Sequence, residues 1–123
     1  MFKKRSIMNV LVVDDYEDTA QVFAQLAEAL GHQACVAITA DAALRIASTT
    51  PPDLIFLDIS LGLQDGIEVG RRIRADPGAQ DCKIVAMSGY ADVMSRCEPA
   101  LFDGFLLKPV RISQLERWLL PLR

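Results

Sequence analysis

The sequence predicts an α/β domain: an open parallel sheet covered by helices on both faces. Three observations carry that reading. Short apolar runs alternate with helix-like segments along the whole chain. The runs are apolar at nearly every position, as expected of parallel strands buried on both faces. Polar residues with chemistry to offer fall just after these runs, at the edge where such sheets place their sites.

MNVLVV (residues 8–13) reads as the first buried strand. From Glu17 to Leu30 the apolar residues Val22, Phe23, Leu26, Ala29 and Leu30 recur at helical spacing, and Gly31 supplies a C-terminal stop. QACVAI (33–38) is the second strand. Thr39 can cap a helix through about Ser48, buried through Ala43, Leu44 and Ala47. Pro51 and Pro52 mark a turn before the third strand, DLIFLD (53–58). Asp65-Gly-Ile-Glu68 has the form of a capping box and opens a helix to about Arg74, which Asp76-Pro77-Gly78 ends. CKIVAMS (82–88) and DGFLLK (103–108) are the fourth and fifth strands, and Ile112, Leu115 and Leu119 give the last helix one apolar stripe. Pro99 restricts the helix between those two strands to about Ala91 to Cys97.

Composition narrows the function classes. A chain of 123 residues, 51% apolar, is one domain with a substantial core. Its 13 basic and 16 acidic side chains leave a net charge of −3, so direct nucleic-acid binding is not expected. Cys35, Cys82 and Cys97 lack metal-ligand spacing and read as buried, reduced thiols of a cytoplasmic protein. The basic start MFKKRS precedes an apolar run, NVLVV, too short for a signal peptide, and no segment approaches a membrane span. His32, the single histidine, follows a helix stop and reads as a surface residue.

Asp58 ends an apolar run, where a carboxylate is costly to bury unless it is capped, paired, metal-bound or reactive. Right-handed crossovers bring it to one edge with Asp14 and Asp15 after the first strand, Ser88 ending the fourth and Lys108 ending the fifth. Alone, each has an ordinary explanation as a turn, cap or solvated charge. Together, three carboxylates repel one another and call for a cation. An all-oxygen donor set without His or thiolate suits Mg²⁺, which keeps several waters and binds alongside phosphate. Lys108 and the Ser88 hydroxyl would meet phosphoryl oxygens, and Asp58 is the candidate nucleophile of a phosphoryl-transfer site.

VVDD (12–15), LIFLDISLGLQDGIE (54–68), VAMSGY (85–90) and GFLLKPV (104–110) resemble, in order and spacing, the receiver domain of two-component response regulators and hybrid sensor kinases. The resemblance covers essentially the whole chain. It implies a flavodoxin-like (βα)5 three-layer sandwich, with a five-stranded parallel sheet of order 2-1-3-4-5. It implies one receiver over residues 1–123 with no output domain, in the cytoplasm. Asp58 would be phosphorylated by a sensor histidine kinase or a histidine phosphotransfer protein. Asp14, Asp15, Asp58 and the Ser60 carbonyl would hold Mg²⁺, Asp14 partly through water. Ser88 would follow the phosphoryl group, Phe105 would be the aromatic that turns inward, and Lys108-Pro109 would be cis. Such a domain is a signalling switch rather than an enzyme, catalysing only its own phosphorylation and dephosphorylation. It would act on an unknown downstream protein, with neither nucleic acid nor membrane as a direct partner.

The chain departs from the family pattern at Gly62, where Pro is usual and where Gly predicts a looser loop, and in the short segment between Ser88 and Lys108. Ser60 and Tyr90 flank the path of a hydrolytic water. A receiver excised from a hybrid kinase and a degenerate receiver used as a binding module are the alternatives. A haloacid-dehalogenase-type phosphatase would need an acid two residues after the nucleophile, where this chain has Ser60.

Overall fold

The computed structural model describes residues 7–79, 81–89 and 100–120. Its strands are β1 (Asn9–Val13), β2 (Gln33–Ala37), β3 (Leu54–Asp58), the short β4 (Ser60–Leu61) and β5 (Gln64–Asp65), β6 (Lys83–Ser88) and β7 (Gly104–Leu107). Its helices are α1 (Glu17–Ala29), α2 (Ala40–Thr49), α3 (Gly66–Ala75) and α4 (Ile112–Leu119). The expected fourth helix, with Tyr90, Cys97 and Pro99, lies outside the described residues.

Five strands form one sheet in the order β2-β1-β3-β6-β7, all parallel, which is the predicted order of its first to fifth strands. Because successive side chains point to opposite faces, each central strand feeds two cores. Leu11, Val13, Ile55, Leu57 and Ile84 face α2 and α3, whose Ala43, Ala47, Val69 and Ile73 complete one buried cluster. Val10, Val12, Leu54, Phe56, Val85 and Met87 face the other way, against Ala20, Phe23, Ala24 and Ala27 of α1 and Leu115 and Leu119 of α4. This is why the strands read as unbroken apolar runs.

The ladder continues one residue past the strands at the C-terminal edge. The Asp14 N–H donates to the Ala37 carbonyl at 3.1 Å, Ile59 to Met87 at 2.9 Å and Lys108 to Ser88 at 2.7 Å. The loops that carry the polar residues therefore leave the sheet with their backbones already fixed. At the helix starts, Thr39 accepts from the Ala42 N–H and Asp65 from the Ile67 N–H, as the capping residues predicted. Glu68, expected to complete a capping box, has its carboxylate 2.6 Å from Arg71 Nη1.

Several expectations need correction. Val22 and Ala29 of α1 are exposed; the small residues Ala20, Ala24 and Ala27 take the sheet side with Phe23. Ile112 is exposed, so the buried stripe of α4 is Leu115 and Leu119. Cys35 is exposed on the edge strand, while Cys82 is buried and its thiol is pushed up to about 11 by that burial.

His32 is a buried structural residue and not a surface one. Its Nδ1 accepts from the Met8 N–H at 3.1 Å, and Nε2 lies 2.6 Å from the Leu119 carbonyl. With Nδ1 accepting, Nε2 carries the proton and donates. One imidazole thus ties the start of the first strand to the last turn of the last helix. Arg74 makes a comparable tie at the N-terminal edge. Its guanidinium donates to the carbonyls of Cys82 and Leu101 and to Asp103, whose carboxylate also accepts from the Ile84 N–H. That cluster seats the chain as it approaches β7.

Gly104, which opens β7, has no room for a side chain: a Cβ there would stand 2.2 Å from the Trp118 ring. Gly104→Ala is expected to cost about 1–3 kcal/mol of unfolding free energy, as overpacking does. Urea denaturation checks this, with Trp118→Leu in the same chain expected to recover part of the loss.

Candidate functional site

Asp14 lies immediately beyond β1 and is fully buried, and Asp58 ends β3 with only 3% of its surface exposed. Two buried carboxylates at one end of an apolar sheet require compensation. Lys108, at the end of β7, supplies it. Its Nζ lies 2.9 Å from Asp58 Oδ2 and 3.4 Å from Asp14 Oδ2. The remaining carboxylate oxygens accept backbone N–H groups: Tyr16 donates to Asp14 Oδ1 and Ser60 to Asp58 Oδ1, both at 2.9 Å. The Lys108-Pro109 peptide is cis.

Asp15, the next residue along, is exposed. One carboxylate oxygen from each of Asp14, Asp15 and Asp58 can be chosen so that all three lie within 4.8 Å of one another. Ser88 is fully buried at the end of β6, one strand over from Asp58. Phe105 is half-buried and packs with Ile59, Ile67, Ala86 and Leu101. Thus Asp14, Asp15, Asp58 and Lys108 come together, Ser60 and Ser88 adjoin them, and Phe105 sits in the adjacent small core.

Charge and burial oppose each other here. Desolvation raises the pKa of Asp58, and the nearby Asp14 charge adds to it, against the pull of Lys108 and the Ser60 N–H. For Lys108, burial works against the ammonium, but the hydrogen bond to Asp58 and the Asp58 and Asp14 charges hold its pKa above the ordinary value. Three carboxylates against one ammonium leave a net deficit of positive charge. An all-oxygen cluster of this size and charge fits a hard divalent cation such as Mg²⁺.

Two close approaches shape the loop after Asp58. A Cβ on Gly66, the first residue of α3, would stand 2.3 Å from the Asp58 carbonyl oxygen, so only Gly lets α3 begin there. The loop between is folded as a hairpin, β4 against β5, with Gly62 at φ +60° in its turn. Gly62 takes a positive φ in this turn, a conformation that suits Gly.

A family model for the response regulator receiver domain matches residues 10–119. The chain belongs to that family. Among curated relatives, the sensor histidine kinase AtsR of Burkholderia thailandensis is 31% identical over 111 residues, 88% of this chain and 18% of the kinase. This receiver therefore spans under a fifth of that relative's length. A CheY-like receiver domain from Methylobacillus flagellatus superposes with a TM-score of 0.82 at 35% identity, covering 93% of this chain and 97% of that one. A response regulator from Burkholderia pseudomallei, solved with a phosphorylated aspartic acid and a calcium ion, matches at 26% identity and a TM-score of 0.81, over 90% of this chain and 65% of that one. Receiver domains are signalling switches of two-component systems, and the fold of this chain is that of a receiver. Among the described residues no helix is long and apolar enough to cross a membrane.

Sequence reasoning did not single out Gln64 or Arg74, because their partners lie on other elements and leave no local pattern. Gln64 accepts from the Ala40 N–H at the start of α2.

The raised pKa of Asp58 has a consequence for stability. The folded state holds this proton more tightly than the unfolded chain does. The associated stabilisation is complete below 3.8, the ordinary value, and is lost as pH rises through the raised folded value. Asp58→Asn removes that loss. From about pH 4 to about pH 7, the thermal midpoint of the metal-free variant is expected to fall less than that of the wild type, as read by scanning calorimetry.

Proposed function

We propose that this receiver accepts a phosphoryl group on Asp58 from a phosphohistidine donor, a sensor histidine kinase or a histidine phosphotransfer protein, and thereby switches its binding to a downstream protein. The observation that supports this most directly is the Lys108 ammonium 2.9 Å from Asp58 Oδ2, in a pocket shared with two further carboxylates.

Asp14, Asp15, the Asp58 carboxylate and the Ser60 carbonyl would hold Mg²⁺, which would neutralise phosphoryl charge at the pocket. The chain's own residues do the rest. Lys108 and the Ser60 N–H fix the Asp58 carboxylate for in-line attack on phosphorus. A carboxylate oxygen forms the new O–P bond as the P–N bond to the donor imidazole breaks, and the imidazole leaves with a proton from solvent. Lys108 then pairs with a phosphoryl oxygen instead of the carboxylate. The Ser88 hydroxyl moves to another, and Phe105, which packs against the Ile59, Ile67, Ala86 and Leu101 cluster, turns inward with it. The domain thus catalyses only its own phosphorylation and dephosphorylation.

Intact mass after incubation with Mg²⁺ and phosphoramidate tests the proposal. A Mg²⁺-dependent phosphoryl adduct is expected on the wild type and none on Asp58→Asn. A wild type that stays unmodified with both the small donor and a histidine phosphotransfer protein sinks it and leaves a constitutive binding module.

A further inference from the structure

The hairpin after Asp58 is pinned at a point that no pocket residue explains. Ser60 pairs with Asp65 and Leu61 with Gln64, with Gly62 and Leu63 as the turn. On its inner side the hairpin is a wall of the acidic pocket. The Ser60 N–H holds Asp58 Oδ1, and the position a Gly62 Cβ would take is 3.7 Å from Asp15 Oδ2. Leu63 at the tip is wholly exposed and anchors nothing.

On its outer side the hairpin rests on α2. Leu61 is buried in the cluster that includes Ala37, Ala40 and Ala43. Next to it, Gln64 Oε1 accepts the Ala40 N–H at 3.2 Å. Ala40 is the first residue of α2, and its N–H is one of the donors a helix start leaves unpaired. Thr39 satisfies a different one, that of Ala42, from within the helix's own cap. The cap on Ala40 therefore comes from the phosphoacceptor loop, and holding it fixes where the hairpin stands.

We propose that Gln64 is a positioning residue of the cation pocket, acting through the hairpin to hold the Ser60 N–H on Asp58 and the turn against Asp15. The inference rests on the proposed phosphoacceptor role of Asp58. Gln64→Met keeps the length and shape of the side chain and removes the acceptor. Thr39→Ala removes an α2 cap without touching the hairpin.

Nuclear magnetic resonance on the ¹⁵N-labelled chain reads both effects: amide exchange at Ala40, and Mg²⁺ affinity from a titration followed at the Asp58–Gly66 amides. Gln64→Met is expected to speed exchange at Ala40 and to weaken Mg²⁺ binding about tenfold, the low end for outer partners of metal ligands. Thr39→Ala is expected to leave Mg²⁺ affinity unchanged. Gln64→Met with faster exchange but wild-type Mg²⁺ affinity overturns the proposal, because Gln64 is then only a helix cap. Equal weakening by Thr39→Ala also overturns it, since fraying of α2 would be the cause. A wild type that binds no Mg²⁺ and accepts no phosphoryl group overturns the phosphoacceptor reading, and this inference with it.

Discussion

The Lys108 ammonium between Asp58 and Asp14 is the contact on which the architecture of the site depends. Removing a carboxylate from water costs several kcal/mol unless a partner replaces the lost solvation. Here one ammonium is shared between two buried carboxylates, and backbone N–H groups take their remaining oxygens. The arrangement is possible because β1, β3 and β7 deliver these residues from three parts of the chain to one edge. The ladder bonds that run past the strand ends fix their backbones first. The site is left short of positive charge, and such a pocket suits a cation.

Much of this was legible in the sequence, and the reasons are physical. A strand buried on both faces must be apolar throughout, so MNVLVV, DLIFLD and CKIVAMS announced the sheet and its polar endpoints together. Capping by Thr39 and Asp65 depends on neighbours two and three residues away, and such local bonds are visible in a sequence. What escaped was long-range. His32 follows a helix stop, which locally suggests solvent, yet its partners are Met8 and Leu119. Val22 matched the helical period as well as Ala24 did. The sheet accepted the small side chain because α1 packs close to it. Gln64 and Arg74 act on carbonyls and amides of other elements, and no spacing rule reports that.

His32 and Arg74 also show how the rim opposite the site is held. Each uses a planar side chain with several nitrogens to join segments that the ladder does not join: β1 to the end of α4, and α3 to the approach to β7. The C-terminal edge is held by ladder bonds past the strand ends, and it carries the buried carboxylates and the ammonium.

The alternation of β-strand side chains divides the interior into two apolar compartments with the peptide sheet as a partition. Leu11 and Val12 are neighbours in the chain but belong to different interiors. Close-packed matter transmits strain through touching atoms, and the sheet backbone lies between these compartments. Amino-acid replacements in one compartment should therefore add to, and seldom interact with, those in the other. The two faces meet at the partition's rim, where Asp14, Asp58 and Lys108 stand.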